Sequence, residues 1–212
     1  SISANSFDNS GPGSVFRDSG SHYDMTDFVA DNDVSDVAYI DAGHVLYNSI
    51  QAAVDAASNG DLVRLSKGSF IEDISISSPG ISLGGNTEAS LVGRLDISAD
   101  NVSVSGLDLS DPDGGYGIVV NGASNISLTD NSLHDIGTDP GFAGTAQAIY
   151  VHHNGIESVA QTTVSITDNT ISKIGHDGIS ASNKGIFIGD SLADRPLNGL
   201  VIRGNTISDI TA

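Results

Sequence analysis

An eight-residue template occurs three times in this chain, at residues 126–133, 164–171 and 200–207. Each copy has apolar residues at its first and third positions, an asparagine at its sixth and another apolar residue at its eighth. The equivalent asparagines, Asn131, Asn169 and Asn205, follow one another after 38 and then 36 residues. A repeat this short cannot bury its own apolar face, so the copies must stack on one another. The template therefore predicts an all-β fold, a parallel β-helix in which each turn forms one rung.

A second set of strands is predicted between the template copies, at residues 117–121, 148–152 and 185–189. These segments align without gaps, and their second and fourth residues are apolar and would face the interior. The residue between those two would point outward, so Val119, Tyr150 and Phe187 would form a column on the outer surface. Outward aromatic rings can stack on sugar rings, pack beneath a loop or contact another protein. Two long loops, predicted at residues 137–147 and 189–199, are candidates for covering them.

The first 44 residues differ from the repeat region, because they are rich in Ser, Asp, Asn and Gly. They predict an acidic, irregular but ordered lead-in, with disorder as the alternative. Ile2, Asn5 and Phe7 match the template, so this lead-in contains one rung-like segment. A start within the pattern indicates either a rung in its own right or a chain cut from a longer protein.

One helix is predicted over residues 49–57, with Asn48 or Ser49 as its N-terminal cap and Gly60 as its end. Its apolar face is narrow and consists mostly of small residues. Such a face suits close packing over the open end of a stack of strands, where core side chains and unpaired backbone groups would otherwise be exposed. The β-helix with this capping helix is predicted to span residues 45–212.

Residues 49–85 contain, in order, the segments SIQAAVDAA, GDLV, GSFIE and ISLGG. This pattern resembles the N-terminal cap and first rungs of the pectin lyase-like superfamily, and pectin methylesterases show a similar opening. The later asparagine-containing rungs resemble β-helix repeats of surface proteins and polysaccharide-active enzymes. The resemblance implies a right-handed, single-stranded parallel β-helix. It leaves the activity open, since the superfamily includes esterases, lyases, hydrolases, epimerases and noncatalytic adhesins.

The enzyme signatures of that superfamily are incomplete in this chain. Mannuronan epimerases carry an Asp-Pro-His motif, whereas this chain has Asp111-Pro112-Asp113 followed by two glycines. That composition is typical of a turn. The aspartates Asp111 and Asp113 are also candidate metal ligands, because calcium prefers several oxygen ligands, although no EF-hand loop is present. Calcium is therefore a possible cofactor, and no other is implied.

The three template asparagines are interpreted as an internal structural ladder. Asparagine tolerates the left-handed backbone conformation, and its amide can satisfy backbone groups in a bend. Leu107 takes the corresponding place in the preceding rung, so the ladder is expected to stop there.

Four residues are candidate catalytic groups: His152, His176, Asp177 and Lys184. A histidine beside a carboxylate can transfer protons near neutral pH, or it can hold a metal ion, although no tight metal-ligand spacing is present. Ordinary surface histidines are the alternative.

Further residues on the same predicted face are candidate ligand contacts, namely Tyr150, Phe187, His153, Asp139 and Arg195. Asp139 aligns with Asp177 of the next rung. Lys184 and Arg195 are the basic residues placed to neutralise an acidic sugar. The alternative is that both form ordinary salt bridges with neighbouring aspartates.

Charge and composition exclude several classes of function. The formal net charge of −19 makes DNA, RNA and anionic membranes poor partners, but leaves divalent cations, cationic groups and neutral sugars open. Without cysteine, thiol catalysis and disulfides are excluded. No apolar run is long enough for membrane insertion, and no segment resembles a signal peptide.

These observations favour a noncatalytic, extracellular or cell-surface module with a structural or adhesive role in a larger bacterial surface protein. The expected partners are neighbouring β-helix modules or further copies associated end to end. The alternative is a carbohydrate-active or carbohydrate-binding β-helix that acts on an acidic polysaccharide as a lyase, an esterase or an epimerase would.

Overall fold

The computed structural model describes residues 6–8, 14–17, 24–41, 43–153, 163–177, 182–190 and 199–211. Its N-terminal part combines short strands with two helices: β1 (Ser6–Asp8), β2 (Ser14–Arg17), α1 (Met25–Asp31), β3 (Asp33–Ser35), β4 (Ala38–Ile40), β5 (Val45–Tyr47) and α2 (Ile50–Ala56). In the part of the chain that is described, no helix has the length and apolar character needed to cross a membrane.

From Leu62 onward the described strands follow in groups of three, and each group is one rung. The first rungs are β6 (Leu62–Leu65), β7 (Gly68–Ile71) and β8 (Ile74–Ile76), then β9 (Ser82–Gly84), β10 (Ala89–Val92) and β11 (Leu95–Ile97). The next are β12 (Ser103–Ser105), β13 (Asp108–Asp111) and β14 (Tyr116–Asn121), then β15 (Ile126–Thr129), β16 (Ser132–Ile136) and β17 (Gln147–His153). The last are β18 (Val164–Thr167), β19 (Thr170–Ile174) and β20 (Lys184–Asp190), then β21 (Leu200–Arg203) and β22 (Thr206–Ile207).

The three strands of a rung enter three different sheets, and each pairs in parallel with its counterpart in the next rung. Sheet 1 contains β6, β9, β12, β15, β18 and β21; sheet 2 contains β7, β10, β13, β16, β19 and β22; sheet 3 contains β8, β11, β14, β17 and β20. Parallel neighbours need a long crossover connection, and here the other two strands of the rung provide it. The chain is therefore an all-β protein of stacked parallel sheets, compatible with a parallel β-helix.

The core is built from columns of apolar side chains, one residue per rung, because the register repeats from strand to strand. Sheet 1 contributes Val63, Leu83, Val104, Leu128 and Ile166; sheet 2 contributes Phe70, Leu91, Leu109, Leu133 and Ile171; sheet 3 contributes Ile74, Leu95, Ile118 and Ile149. Each of these side chains is at most 4% exposed. The next members of the first two columns, Ile202 and Ile207, lie in the last described rung and are 47% and 46% exposed.

Helix α2 covers this core at its N-terminal end. The Ser49 hydroxyl accepts a hydrogen bond from the Ala52 amide at 3.1 Å, and the Glu72 carboxylate accepts from the first two amides of the helix at 2.7 and 3.2 Å. These contacts satisfy amides that have no partner within the helix. Ser49 and Ala57 are the caps of the helix, which matches the predicted span of 49–57; the extended backbone of Ala57 ends the helix three residues before Gly60. Its buried residues are Ile50, Ala53 and Val54.

The lead-in has a hydrophobic cluster of its own, separate from the main core. The cluster comprises Met25, Phe28, Val34, Val37, Tyr39 and Leu46. Helix α1, which the sequence analysis did not predict, provides the first two, and the Asp24 carboxylate caps it by accepting from the Thr26 amide at 2.8 Å. Strand β1 pairs in parallel with β3, and the antiparallel strands β2, β5 and β4 extend sheet 1 beyond β6.

Candidate ligand-binding face

The template asparagines form a hydrogen-bonded ladder between sheets 1 and 2. The side-chain oxygen of Asn169 accepts hydrogen bonds from the backbone and side-chain amides of Asn131, both at 2.9 Å. The side-chain oxygen of Asn205 accepts in the same way from the two amides of Asn169, at 3.0 and 2.9 Å. Each side-chain amide also donates to a backbone carbonyl one rung back, at 2.8 to 3.1 Å.

The ladder stops at Leu107, whose backbone amide donates to the side-chain oxygen of Asn131 at 3.0 Å. Asn131 and Asn169 are buried, at 2% and 1% exposure, and both side-chain groups of each have protein partners. These buried amides therefore close the corners of the rungs that contain them, and their hydrogen bonds are made within the protein.

An aromatic patch lies on the outer surface of sheet 3, formed by Tyr116, Tyr150, His152 and Phe187. The Tyr150 ring stacks on Phe187 with centroids 5.4 Å apart and on Tyr116 with centroids 5.7 Å apart. The His152 ring stacks on the same tyrosine at 5.5 Å. All four residues are partly exposed, so the patch keeps solvent-facing aromatic surface.

Strand register explains how the patch forms. Val119, Tyr150 and Phe187 are direct partners in β14, β17 and β20, which is the alignment that the sequence analysis predicts. Gly189 provides room beside the rings, because a Cβ atom there would lie 2.9 Å from ring carbons of both Tyr150 and Phe187.

Lys184 lies beside the patch. Its amine is 4.9 Å from the centre of the Phe187 ring, within the range of a cation–π contact. The amine also donates to the carbonyl and hydroxyl of Ser182 at 2.7 and 2.9 Å. The amine forms no ion pair with Asp177, one of the aspartates of the predicted salt bridge; the side chains of the other two, Asp190 and Asp194, lie outside the described part of the chain.

A pocket of about 260 Å³ adjoins the patch at Tyr116. Its lining is mainly polar and comprises Asp73, Arg94, Asp111, Asp113, Gly114, Gly115 and Tyr116. The Arg94 guanidinium is paired with the Asp96 carboxylate at 2.6 Å. The backbone amide of Arg94 donates to the Asp73 carboxylate at 2.8 Å. The three pocket carboxylates are therefore only partly balanced, and the pocket carries net negative charge.

Asp111 lies in the turn for which its sequence is typical, with the Gly114 amide donating to the Asp111 carbonyl at 3.2 Å. A Cβ atom at position 114 would lie 1.8 Å from the Asp111 carboxylate, so any other residue there would displace that side chain from its present position. Burial raises the pKa of Asp111, and the charges of Asp73 and Asp113 raise it further, while Arg94 and the Gly114 amide oppose the rise.

His176 and Asp177 lie in the connection between β19 and β20, near the start of the patch strands. The imidazole Nε2 donates to the Phe142 carbonyl at 2.6 Å, and Nδ1 donates to the Asp177 carbonyl at 2.8 Å. The first of these hydrogen bonds raises the pKa of His176 most, followed by the second and by the charges of Asp139 and Asp177. In the protonated form both nitrogens donate, so the imidazolium has no free lone pair for a general base or a metal.

The other predicted site residues fall in different places. Asp139 lies in the loop between β16 and β17, where its carboxylate accepts from the Gly141 amide at 2.6 Å. Arg195 and the His153 side chain lie outside the described residues. Within the described ranges, no group of three or more His, Asp or Glu residues is arranged to hold a metal ion, and this includes Asp111 and Asp113.

Sequence reasoning missed Tyr116 and the pocket. Tyr116 is three residues before the aligned position, Val119, and its strand partner is Gln147, yet its ring stacks on Tyr150 with centroids 5.7 Å apart. Asp73 and Arg94 come from two earlier rungs, so no local spacing connects them with Asp111. The Asp111-Pro112-Asp113 segment predicts the turn, but it gives no indication that Asp73 and Arg94 line the same pocket.

Comparison with protein-family models, with curated proteins and with solved structures found no match for this chain.

Proposed function

We propose that this chain is a noncatalytic, sugar-binding β-helix module with an adhesive role, and that the aromatic patch is its binding surface. The observation that carries the proposal is the stack of Tyr116, Tyr150 and Phe187, which spans three consecutive rungs and remains partly exposed.

Stacked aromatic side chains with polar groups at both ends match the chemistry of a sugar chain. The C–H face of a sugar ring is apolar and packs on an aromatic ring, while its hydroxyls need hydrogen-bond partners. Lys184 supplies donors at the Phe187 end, and the pocket carboxylates supply acceptors at the Tyr116 end. Because the patch runs across successive rungs, it would follow an extended polymer.

The charge of the site favours neutral or amino sugars over uronates. Asp111, Asp113 and Asp73 lie at one end, and Arg94 is already paired with Asp96. A polyuronate would meet repulsion there in addition to the repulsion from the net charge of −19. The acidic polysaccharide, which the sequence indicates only as the ligand of the alternative function, is therefore replaced in this proposal by a neutral or amino glycan.

The state of His176 supports a noncatalytic role, since its ring nitrogens are engaged by backbone carbonyls. We include in the proposal the finer fold assignment, a right-handed parallel β-helix of the pectin lyase-like kind, and an extracellular or cell-surface location. The stacked parallel sheets and the helix over the first rung support the fold assignment. End-to-end association stays a prediction.

The test is a binding screen by isothermal titration calorimetry with neutral, amino and uronate oligosaccharides. Wild-type protein should bind at least one neutral or amino oligosaccharide more tightly than any uronate. Replacing both Tyr150 and Phe187 with alanine should weaken that binding at least about tenfold, since each stacked ring contributes on the order of 1 kcal/mol.

Tyr150→Phe is the matched control, because it keeps the ring and removes only the hydroxyl. Its affinity should remain within about threefold of wild type, a difference below 1 kcal/mol. Unchanged binding in the double alanine variant, or binding to uronates alone, would contradict the proposal.

A further inference from the structure

The loop between β16 and β17, residues 137–146, contacts the preceding rung at the turn that contains Asp111, which lines the pocket described above. The Gly137 amide donates to the Asp111 carbonyl, and the Asp139 amide donates to the Pro112 carbonyl, both at 3.0 Å. The position of the Asp111 turn therefore depends on this loop.

Phe142 anchors the loop. Its ring is partly buried against the main core, in a space that glycines leave open. A Cβ atom at Gly137 would lie 2.9 Å from the ring, and one at Gly115 would lie 3.0 Å from it. Since Gly115 immediately precedes Tyr116, displacement of Phe142 would also affect the first ring of the aromatic patch.

His176 holds Phe142 from the following rung. The two acceptors of its ring nitrogens are both backbone carbonyls, which cannot donate a proton. Both nitrogens must therefore carry hydrogen, and only the imidazolium does so. Neutral histidine has a single N–H and can keep only one of these two hydrogen bonds. Among the described residues, the charged groups that act on the ring are the carboxylates of Asp139, from the loop, and Asp177, from its own segment.

We propose that protonated His176 is a positioning residue that latches the 137–146 loop, and through it the Asp111 turn and Tyr116. Loss of the proton leaves a single N–H on the ring. In the Nδ1–H tautomer the hydrogen bond to the Phe142 carbonyl is lost, and in the Nε2–H tautomer it is kept without its positive charge, so the loop is held more weakly in either form. A second loop contact, from the Ala146 amide to the Asn183 side-chain oxygen at 2.8 Å, does not involve a titrating group and keeps the far end of the loop in place. The link from the latch to sugar affinity rests on the proposed function, whereas the latch itself does not.

The direction of the pH effect follows from proton linkage. The fold raises the pKa of His176 above its value in the unfolded chain, so the latch is fully formed below about pH 6.5. It is lost as the pH rises through the higher value of the folded protein. The loop should therefore be held in mildly acidic solution and released in alkaline solution.

The experiment measures amide hydrogen exchange in residues 137–146 between pH 5.5 and 8.5, corrected for intrinsic exchange, together with an NMR titration of the His176 ring. In wild-type protein, protection of the loop should fall at least about fivefold as the ring loses its proton, the size expected for a charge-assisted hydrogen bond. His176→Gln should give low protection that does not change with pH, since the amide of glutamine has one donor nitrogen and no charge.

His134→Gln is the matched control. His134 contacts Asp108 at 3.0 Å and Asp135 at 2.7 Å, and neither carboxylate is among the charges that act on His176, so this variant should keep the pH dependence of the loop. Loop protection that is constant with pH in wild-type protein, or equal in wild-type and His176→Gln proteins, would overturn the latch.

Sugar binding is the separate readout. If an oligosaccharide from the screen binds, its affinity should fall at least about threefold between pH 6 and 8.5 in wild type and stay constant in His176→Gln. Loop protection that follows pH, without any sugar binding, supports the latch and contradicts the proposed function. Sugar binding with constant loop protection supports the function and overturns the latch.

Discussion

Two columns of side chains run from rung to rung in this protein, and they face opposite ways. The asparagine ladder lies in the corner between sheets 1 and 2, where the amides of Asn131 and Asn169 are buried and bonded. The aromatic patch lies on the outside of sheet 3, where the rings of Tyr150 and Phe187 contact each other and remain partly exposed. Both columns arise from the same repeating register.

The two columns have different roles because one faces the core and the other faces solvent. An inward column must satisfy every polar group, because an unpaired buried group costs about 1 to 3 kcal/mol. An outward column has no such requirement, so its residues are free to serve a ligand. The ladder should therefore respond to mutation through stability, and the patch mainly through binding.

The largest expected effect on stability comes from Asn169→Ala in the middle of the ladder. The change removes the acceptor for both amides of Asn131 and the donor to the Leu128 carbonyl, and all these groups are buried. We expect the free energy of unfolding to fall by about 3 kcal/mol, measured by urea denaturation followed by circular dichroism.

Asn205→Ala is the comparison variant, because Asn205 is only partly buried and ends the described ladder. Its loss should cost about 1 kcal/mol, since water can replace part of its hydrogen bonding. Equal losses at the two positions would mean that burial does not set the strength of the ladder.

A smaller effect is expected from Gly189→Ala, which tests the packing of the outward column. The new methyl group would lie 2.9 Å from the rings of Tyr150 and Phe187 and would push them apart. We expect a loss of about 1 kcal/mol in stability and a weaker near-ultraviolet circular dichroism signal, which in a chain without tryptophan reports mainly on tyrosine.

The same substitution in a background with both rings changed to alanine is the control. There the methyl group meets no ring, so its cost should largely disappear in a double-mutant cycle. A cost that persists without the rings would place its origin in the backbone of β20.

The stacking of parallel strands could be predicted from the sequence because the interior repeats at every rung. The template fixes Leu128 and Ile166 as core residues and Asn131 and Asn169 as ladder residues, and the structure pairs them in that register. Helix α1 could not be predicted in this way. It occurs once, spans seven residues and is stabilised by a local cluster around Phe28 rather than by a repeat.

The candidate site was only partly predictable for the same reason. Tyr150 and Phe187 occupy equivalent positions, so alignment of the strands brings them together. The pocket depends on Asp73, Arg94 and Asp111, which come from different rungs at positions that do not repeat in type. Such contacts form only when the rungs are stacked, and the bends between strands decide which side chains meet.

The smallest expected effect concerns Asp111, at the edge of the outward column. Because the fold raises its pKa, through burial and then through Asp73 and Asp113, the carboxylate destabilises the folded state once the pH exceeds about 4. Asp111→Asn should therefore stabilise the protein at pH 7 by about 0.5 kcal/mol, allowing for screening by solvent at this half-exposed site, and the gain should vanish below pH of about 3.5. Urea denaturation at both pH values measures it. Asp113→Asn, which removes only the neighbouring charge, should give a smaller gain. If Asp111→Asn is less stable than wild type at pH 7, the attraction of Arg94 outweighs the cost of burial. The Asp111 carboxylate would then stabilise the fold, as the ladder amides do, and would not be a surface group kept at a cost in stability for a ligand.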